Sequence, residues 1–362
     1  MQGLNNPIGI KSIEPNQNPF ITNPYRFAAA GVGGWVELAR TTLGSAGDNI
    51  TVSSLDDKRY YMILHNSTTT GGNSTPAIRL NSDTGSNYST RASSNGGSDT
   101  TATSQSHAGT AVTSTGSNNL FALSYISNLS SKEKLIQTWG TNFNSSGASN
   151  APSRRERVSK WTNTSDVINT ITHHNPDTGD YAIGSEIVVL GWDPADTHTS
   201  NFWEELASVE LGSDSSSSGS LGSPQMETGT FTAKKYLWVQ GWIKSSTDFV
   251  TNFNSNSSSI FSHRYSDNGG SDGTSINSNS AWFHYGGDQM FVNAFIINDT
   301  SKEKLMINHI VYRGSSGAGT APQRREIVSK WANTSDQITS IQLWKASMTI
   351  SAGSTLKVWG SD

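Results

Sequence analysis

The chain repeats itself at a spacing near 170 residues, and that repeat limits its architecture more than any other feature. Trp35-Val36-Glu37-Leu38-Ala39, followed by Leu43-Gly44-Ser45, returns 168 positions later as Trp203-Glu204-Glu205-Leu206-Ala207 with Leu211-Gly212-Ser213. Asn95-Gly96-Gly97-Ser98-Asp99 returns as residues 268–272 at an offset of 173. Ser131-Lys132-Glu133-Lys134-Leu135 returns unchanged as residues 301–305, and residues 151–166 match 321–336 at 13 of 16 positions, both at an offset of 170. Gly184-Ser185 and Gly191 pair with Gly353-Ser354 and Gly360. A period this long is far beyond a solenoid unit and marks one domain written twice. The drifting offsets place insertions in Ser/Gly stretches such as residues 213–223, where surface loops belong. The expected organisation is an arm over 1–33, one domain over 34–194, a linker over 195–201 and a second domain over 202–362.

Within each copy the hydrophobic pattern is that of strands. Residues 59–65 (RYYMILH), 120–126 (LFALSYI), 134–139 (KLIQTW) and 186–192 (EIVVLGW) are short apolar or alternating runs separated by Gly, Asn, Ser and Asp. With 58 Ser, 37 Thr, 31 Asn and 34 Gly, and only 15% charged residues, the composition opposes helix throughout. The hydrophobic content is 33%, yet 11 Trp, 12 Phe and 10 Tyr at a net charge of -4 supply the buried area that disordered chains lack. The expected fold is all-β: two tandem homologous antiparallel β-sandwiches, jelly-roll-like, behind an extended N-terminal arm. The best helix candidate, residues 193–209, aligns with the strand at Trp35 and is read as strand.

Several function classes drop out. No cysteine is present, which excludes disulfides and thiol chemistry. The N-terminal residues lack a secretory pattern, and the apolar runs are strand-length, so no membrane partner is expected. A pI near 6.1 without a basic block argues against nucleic acid. Little acid, base or nucleophile chemistry converges. His173 and His174 are adjacent on an expected strand, point to opposite faces and align with Gln342 and Leu343, so they do not form one metal site. Asp193, Asp196 and His198 read as a solvated linker. No glycine-rich sequence opens a helix to cradle phosphate. No catalytic residue, metal or other cofactor is therefore expected. The doubled Asn-Gly-Gly-Ser-Asp loops offer Asp99 and Asp272 to calcium, but no further acids follow at EF-hand spacing, and a hairpin turn is the preferred reading.

Three residue sets are candidates for contact. The segment best preserved between copies is charged, and Arg154, Arg155, Glu156, Arg324, Arg325 and Glu326 are candidates for a subunit contact used by both copies; an ion-pair set with Lys132, Glu133 and Lys134 is the alternative. In the arm, Asn18-Pro19-Phe20 and Asn23-Pro24-Tyr25 keep the chain extended, so that Pro19, Phe20, Pro24, Tyr25 and Phe27 form a candidate anchor for a neighbouring subunit or for the first domain. Trp35, Trp161 and Trp192 have counterparts at Trp203, Trp331 and, one position earlier, Trp359 and are assigned to cores. Unpaired Trp139, Trp238, Trp242, Trp282 and Trp344 are the candidates for sugar stacking.

Residues 79–89 (RLNSDTGSNYS), with the closing segments 184–191 (GSEIVVLG) and 353–360 (GSTLKVWG), resemble a pattern of structural proteins of tailed phages. Residues 254–261 (NSNSSSIF) depart from it by lacking the Asp and Gly of the first copy. The resemblance implies a virion component of the fibre, decoration or tail type, without catalytic residues. The expected partners are further copies of the chain, for which a trimer is compatible, and other virion proteins at the particle surface. The alternatives are a carbohydrate-binding protein that attaches to a host surface glycan and a double jelly-roll major capsid protein.

Overall fold

The computed structural model describes residues 34–109, 114–197, 199–216, 222–283 and 289–362; the arm with Pro19, Phe20, Pro24, Tyr25 and Phe27 lies outside them, as does His198. All regular structure among the described residues is β. The first half carries β1 (Val36–Thr42), β2 (Asn49–Val52), β3 (Tyr60–Thr70), β4 (Ala77–Leu80), β5 (Tyr88–Ser94) and β6 (Thr100–Gln105). It continues with β7 (Ala108–Gly109), β8 (Asn119–Ser127), β9 (Lys134–Asn142), β10 (Ser153–Trp161), β11 (Ile171–His174) and β12 (Glu186–Trp192). The second half carries β13 (Glu204–Glu210), β14 (Met226–Glu227), β15 (Tyr236–Lys244), β16 (Val250–Phe253), β17 (Phe261–Asp267) and β18 (Gly273–Ser278). After these come β19 (Trp282–Phe283), β20 (Gln289–Ile297), β21 (Lys304–Tyr312), β22 (Gln323–Trp331), β23 (Ile341–Trp344) and β24 (Thr355–Ser361).

The large sheet of the first half runs β1-β12-β3-β8-β9-β10-β5-β6, and its small sheet runs β2-β11-β4-β7. In the second half the orders are β13-β24-β15-β20-β21-β22-β17-β18 and β14-β23-β16-β19, the same paths with every strand twelve places later. Setting aside the hairpins β5–β6 and β9–β10 leaves eight strands in the order first-eighth-third-sixth and second-seventh-fourth-fifth, which is the jelly roll. Both hairpins extend the large sheet beyond β8. Even the irregularities recur: the first strand of each half bulges, between Glu37 and Ala39 and between Glu205 and Ala207. One sequence alignment shifts. Ile171 sits opposite Leu80 as Ile341 sits opposite Phe253, so His173 corresponds to Leu343 and His174 to Trp344, one position on from the expected Gln342 and Leu343.

The strands of the large sheets are apolar on both sides because both sides are covered. Tyr61 and Ile63 of β3 and Ile187 and Val189 of β12 face the small sheet of their own half. The alternate residues Met62, Leu64, Val188 and Leu190 face the other half, where they meet Tyr236, Trp238, Phe295 and Trp359. The chain is thus a stack of sheets with three apolar layers, one inside each jelly roll and one between them.

The preserved segments hold the sheet extension to the core. Trp161 is buried and stacks on Tyr88 with ring centroids 6.3 Å apart; Trp331 is buried and stacks on Phe261 at 6.0 Å. Over each ring lies a buried lysine, Lys134 at 5.8 Å and Lys304 at 5.7 Å. Their amines donate to the carbonyls of Asn163 (3.2 Å) and Asn333 (2.9 Å). Asn163 and Asn333 in turn each accept from two backbone amides at 2.8 Å in the Asn-Thr-Ser-Asp turn that follows. Burial pushes the Lys304 amine down to about 8. The halves differ at Asp83, which accepts from the Trp161 indole at 2.6 Å, while the Trp331 indole nitrogen has no partner. This is where residues 254–261 depart from the first copy. Trp161→Ala and Trp331→Ala are each expected to cost about 3–5 kcal/mol; denaturant unfolding checks this against Ile183→Ala, an exposed site whose expected change is within about 0.5 kcal/mol.

Candidate functional site

Among the described residues no group of three or more His, Asp or Glu side chains is placed to hold a metal ion. The buried histidines illustrate why. His65 on β3 and His173 on β11 meet with Nδ1 atoms 2.7 Å apart, which is a hydrogen bond between neutral rings and leaves no room for an ion between them. His174 faces away and pairs with Asn49 at 2.9 Å. Burial lowers the His173 ring to about 3 and holds His65 well below its ordinary value, with His173 adding to the effect. An unfolded histidine binds protons below about pH 6.5, so the neutral pair's contribution is complete above that pH and is lost as the pH falls toward 3. Stability is therefore expected to fall between about pH 6.5 and 4. His173→Leu, which supplies the residue of the second half, makes that fall shallower in chemical unfolding at stepped pH.

The preserved charged residues gather where the two halves join. β5–β6 and β17–β18 turn at Asn95-Gly96 and Asn268-Gly269, all four with positive φ, in tight hairpins closed by Gly97 N–H to Ser94 and Gly270 N–H to Asp267 at 2.9 Å. The turn reading of the doubled motif accounts for this geometry, and both aspartates are taken by arginines rather than arranged for calcium. Asp272 is buried and receives Arg154 Nη2 at 2.6 Å from the other half, whereas Asp99 is exposed and lies 3.3 Å from Arg91. Arg154 also pairs with Glu156. Arg324 is exposed and pairs with Glu326 at 2.8 Å. Arg325 is buried inside the second half, bonded to Asp267 and lying 4.8 Å over the Tyr265 ring. Arg155 is half buried on the first half, and burial lowers its guanidinium. Glu326 is pushed up by burial and then by the charge of Glu156.

Of the residues expected at a subunit contact, Arg154, Glu156 and Glu326 line the joint within one chain. The alternative ion-pair set is partial, since Glu133 pairs with Lys160 at 3.0 Å while Lys134 serves Trp161. Arg154→Met leaves the Asp272 carboxylate buried beside only Arg264 at 3.9 Å, and an uncompensated buried charge costs about 3–5 kcal/mol. Arg91→Met, whose partner Asp99 is itself exposed, is expected to change stability by no more than about 0.5 kcal/mol, and unfolding of the two variants side by side reads the difference.

The joint is polar at its rim and apolar inside. Glu186 of β12 is buried and accepts from Tyr236 Oη at 2.8 Å, Lys235 Nζ at 2.9 Å and Thr42 Oγ1 at 2.5 Å. Burial alone would raise this carboxyl, but these bonds and the Lys235 charge hold it below its ordinary value. At the centre Trp139 meets His309 edge-on at 5.2 Å, and burial, then the charges of Arg154 and Arg324, push His309 down to about 4. The loop between β9 and β10 reaches across: Gly147 N–H donates to Glu303 at 2.5 Å, Lys330 donates to the carbonyls of Phe143 at 2.9 Å and Ser145 at 2.5 Å, and Ser262 to that of Asn150 at 2.9 Å.

One open surface is aromatic. Trp35 and Trp192, expected in a core, are half buried and line a groove of about 460 Å³ with Tyr60, Tyr125, Leu135 and Gln137. Tyr60 stacks on Trp192 with centroids 5.5 Å apart. Beyond Leu135 the surface continues as a second groove of about 450 Å³ along Val158, Lys160 and Arg91. The sequence assigned these tryptophans by their counterparts, but Trp203 is buried in the joint and not in a jelly-roll core, and Trp359, also in the joint, takes the place of Leu190 and not of Trp192. Of the proposed sugar-stacking residues, Trp238 is buried in the joint, Trp139 is half buried and Trp344 bonds Asn252 at 2.6 Å. Trp242 is exposed, and the Trp282 side chain lies outside the described ones. The linker acids are not merely solvated: Asp196 pairs with Lys58 at 2.8 Å and Asp193 accepts from the Arg59 amide at 3.2 Å.

No family model and no curated protein matches the chain. Among solved structures, human GIVD cytosolic phospholipase A2 aligns at 7% identity over 76% of this chain and 33% of that one, with a TM-score of 0.12. The same enzyme in complex with methyl gamma-linolenyl fluorophosphonate and terbium chloride gives 8%, 78%, 33% and 0.11. The chain spans about a third of the length of these neighbours, and likeness at that TM-score carries neither fold nor activity.

Proposed function

We propose that the chain is a non-enzymatic structural component of a virus particle, of the capsid decoration, head-fibre or tail type, positioned on the particle surface through its N-terminal residues. The observation that supports this most directly is the doubled jelly roll with its halves stacked through the outer faces of their large sheets. Jelly rolls serve capsids and lectins alike, so the fold alone does not decide between them. What favours a scaffold is where the preserved chemistry goes: Lys134, Trp161 and Asn163, with their twins, tie strands together, and Arg154 ties the halves together.

A second reading, attachment to a host glycan, has its own observation in the aromatic groove of Trp35, Tyr60 and Trp192. Glycan-array binding by the purified chain would favour it. For the structural reading, mass spectrometry of purified particles is expected to find the chain at a fixed copy number, below that of a major capsid protein. Deleting residues 1–30 is expected to leave both jelly rolls folded while particle binding is lost. Unchanged particle binding by the deleted chain would remove the anchoring role, and absence from particles would remove the structural reading.

A further inference from the structure

The joint inside the chain covers one end of each large sheet, and the two ends are different. In the first half, Asn66, Phe121 and Thr141 are buried by the second half, at 2%, 1% and 0% exposure. Their counterparts in the second half, Trp242, Phe291 and Val311, are 40%, 47% and 50% exposed. In the second half, Tyr236, Leu305 and Val328 are buried at 1%, 0% and 2%, and their counterparts Tyr60, Leu135 and Val158 are 38%, 58% and 51% exposed. The loop that reaches across the joint from the first half has its counterpart in residues 313–322, which are exposed throughout. The residues that receive that loop, Glu303 and Lys330, lie 3.5 Å apart; their counterparts Glu133 and Lys160 lie 3.0 Å apart on the surface.

Burial is therefore complementary between equivalent positions. In a two-fold pairing equivalent residues would be buried alike; here the joint is heterologous, with one surface of the domain used by the first half and another by the second. Each chain is left with one unused copy of each surface. We propose that copies of this chain associate head to tail, the end of the second large sheet that carries Trp242, Phe291 and Val311 seating on the Tyr60, Leu135 and Val158 end of the first large sheet of the next copy. The occupant of the aromatic groove is then a second copy, because the groove's own counterpart is filled by this same domain. Several joint residues differ in the free copy: Glu186 is replaced by Thr355, Phe143 by Arg313, Leu123 by Asn293 and Val188 by Lys357. The contact between chains is accordingly more polar than the one within, as suits a reversible interface. Heterologous contacts close into rings or run on as fibres.

Sedimentation or light scattering of the full chain over about 1–100 µM is expected to show species above the 38.8 kDa chain that grow with concentration. Val158→Asp and Val311→Asp, each at an exposed position, are each expected to give single chains. Mixing the two variants is the decisive step. Each keeps the surface the other lacks, so the mixture is expected to form a complex of two chains and nothing larger, which also proves both variants folded. A wild-type chain that stays single throughout overturns the proposal, whether a glycan or residues 1–33 fill the groove. Assembly that survives both substitutions, or variants that fail to complement, overturns it as well. The outcome is separable from the virion reading: a chain absent from particles that still assembles this way keeps the inference, and a particle protein that does not self-associate ends it.

Discussion

A β-sheet that is apolar on both faces has to be covered on both, and the large sheets of this chain are built that way. The small sheet of each jelly roll covers one face. Among the described residues nothing within a single half covers the other, where Met62, Leu64, Phe121 and Leu123 on one side and Trp238, Phe295 and Ile307 on the other would meet water. Removing each such side chain from water is worth about 1.5–3 kcal/mol, so the halves are stabilised by stacking, and the rim contacts then select one arrangement. Glu186 with Lys235 and Tyr236, and Arg154 with Asp272, fix the offset through buried charges whose partners come from the opposite half. Misplacing either pair would strand a carboxylate in a low-dielectric layer.

That offset explains why sequences that agree so closely have different surroundings. Asp99 and Asp272 occupy the same place in the same type of hairpin, yet one faces solvent and the other is enclosed by Arg154. Arg154 and Arg324 diverge in the same way. A duplicated domain placed in a heterologous joint has two environments for one surface. The substitutions that distinguish the halves, such as Leu123 against Asn293 and Val188 against Lys357, put the apolar member where the joint closes and the polar one outside it.

Much of the architecture was legible because repetition and alternation report local constraints. The repeat at 170, the strand runs at 59–65 and 186–192 and the Asn-Gly turns each follow from short-range chemistry. Alternation along β10 puts Val158 and Trp161 on opposite sides of the sheet, so the strand is apolar on both. What could not be read was which end of that sheet is covered. Trp35 was placed in a core because its counterpart is also a tryptophan, but identity between copies does not carry burial across an unsymmetrical joint; Trp192 was paired with Trp359, which stands in the place of Leu190, while Ser361 stands in that of Trp192. The His173 alignment slipped by one because the chain between the last preserved segment and β11 has no marker, and in a strand a one-residue slip exchanges the core face for the outer one. His65 was missed altogether. It lies mid-strand in an apolar run, and its partner is 108 residues away.

The preserved charged segment also takes on a different meaning. Charge kept between copies suggested a contact, since apolar packing alone does not need it. In the structure the lysines of the Ser-Lys-Glu-Lys-Leu motif lie over the tryptophans of the next strand and bond the carbonyl of an asparagine whose side chain organises the turn beyond. An ammonium placed there is desolvated, which the lowered position of Lys304 reflects, and the cost is offset only while the ring and the carbonyl stay in position. Three residue types must then be retained together, and a change in any one leaves a buried charge or a buried carbonyl without its partner. This coupling, set by desolvation, ties the Ser-Lys-Glu-Lys-Leu motif to Trp161 and Asn163 in one half and to Trp331 and Asn333 in the other. The equivalent surfaces differ in exposure: Tyr236, Leu305 and Val328 close the chain upon itself, while Tyr60, Leu135 and Val158 stand open.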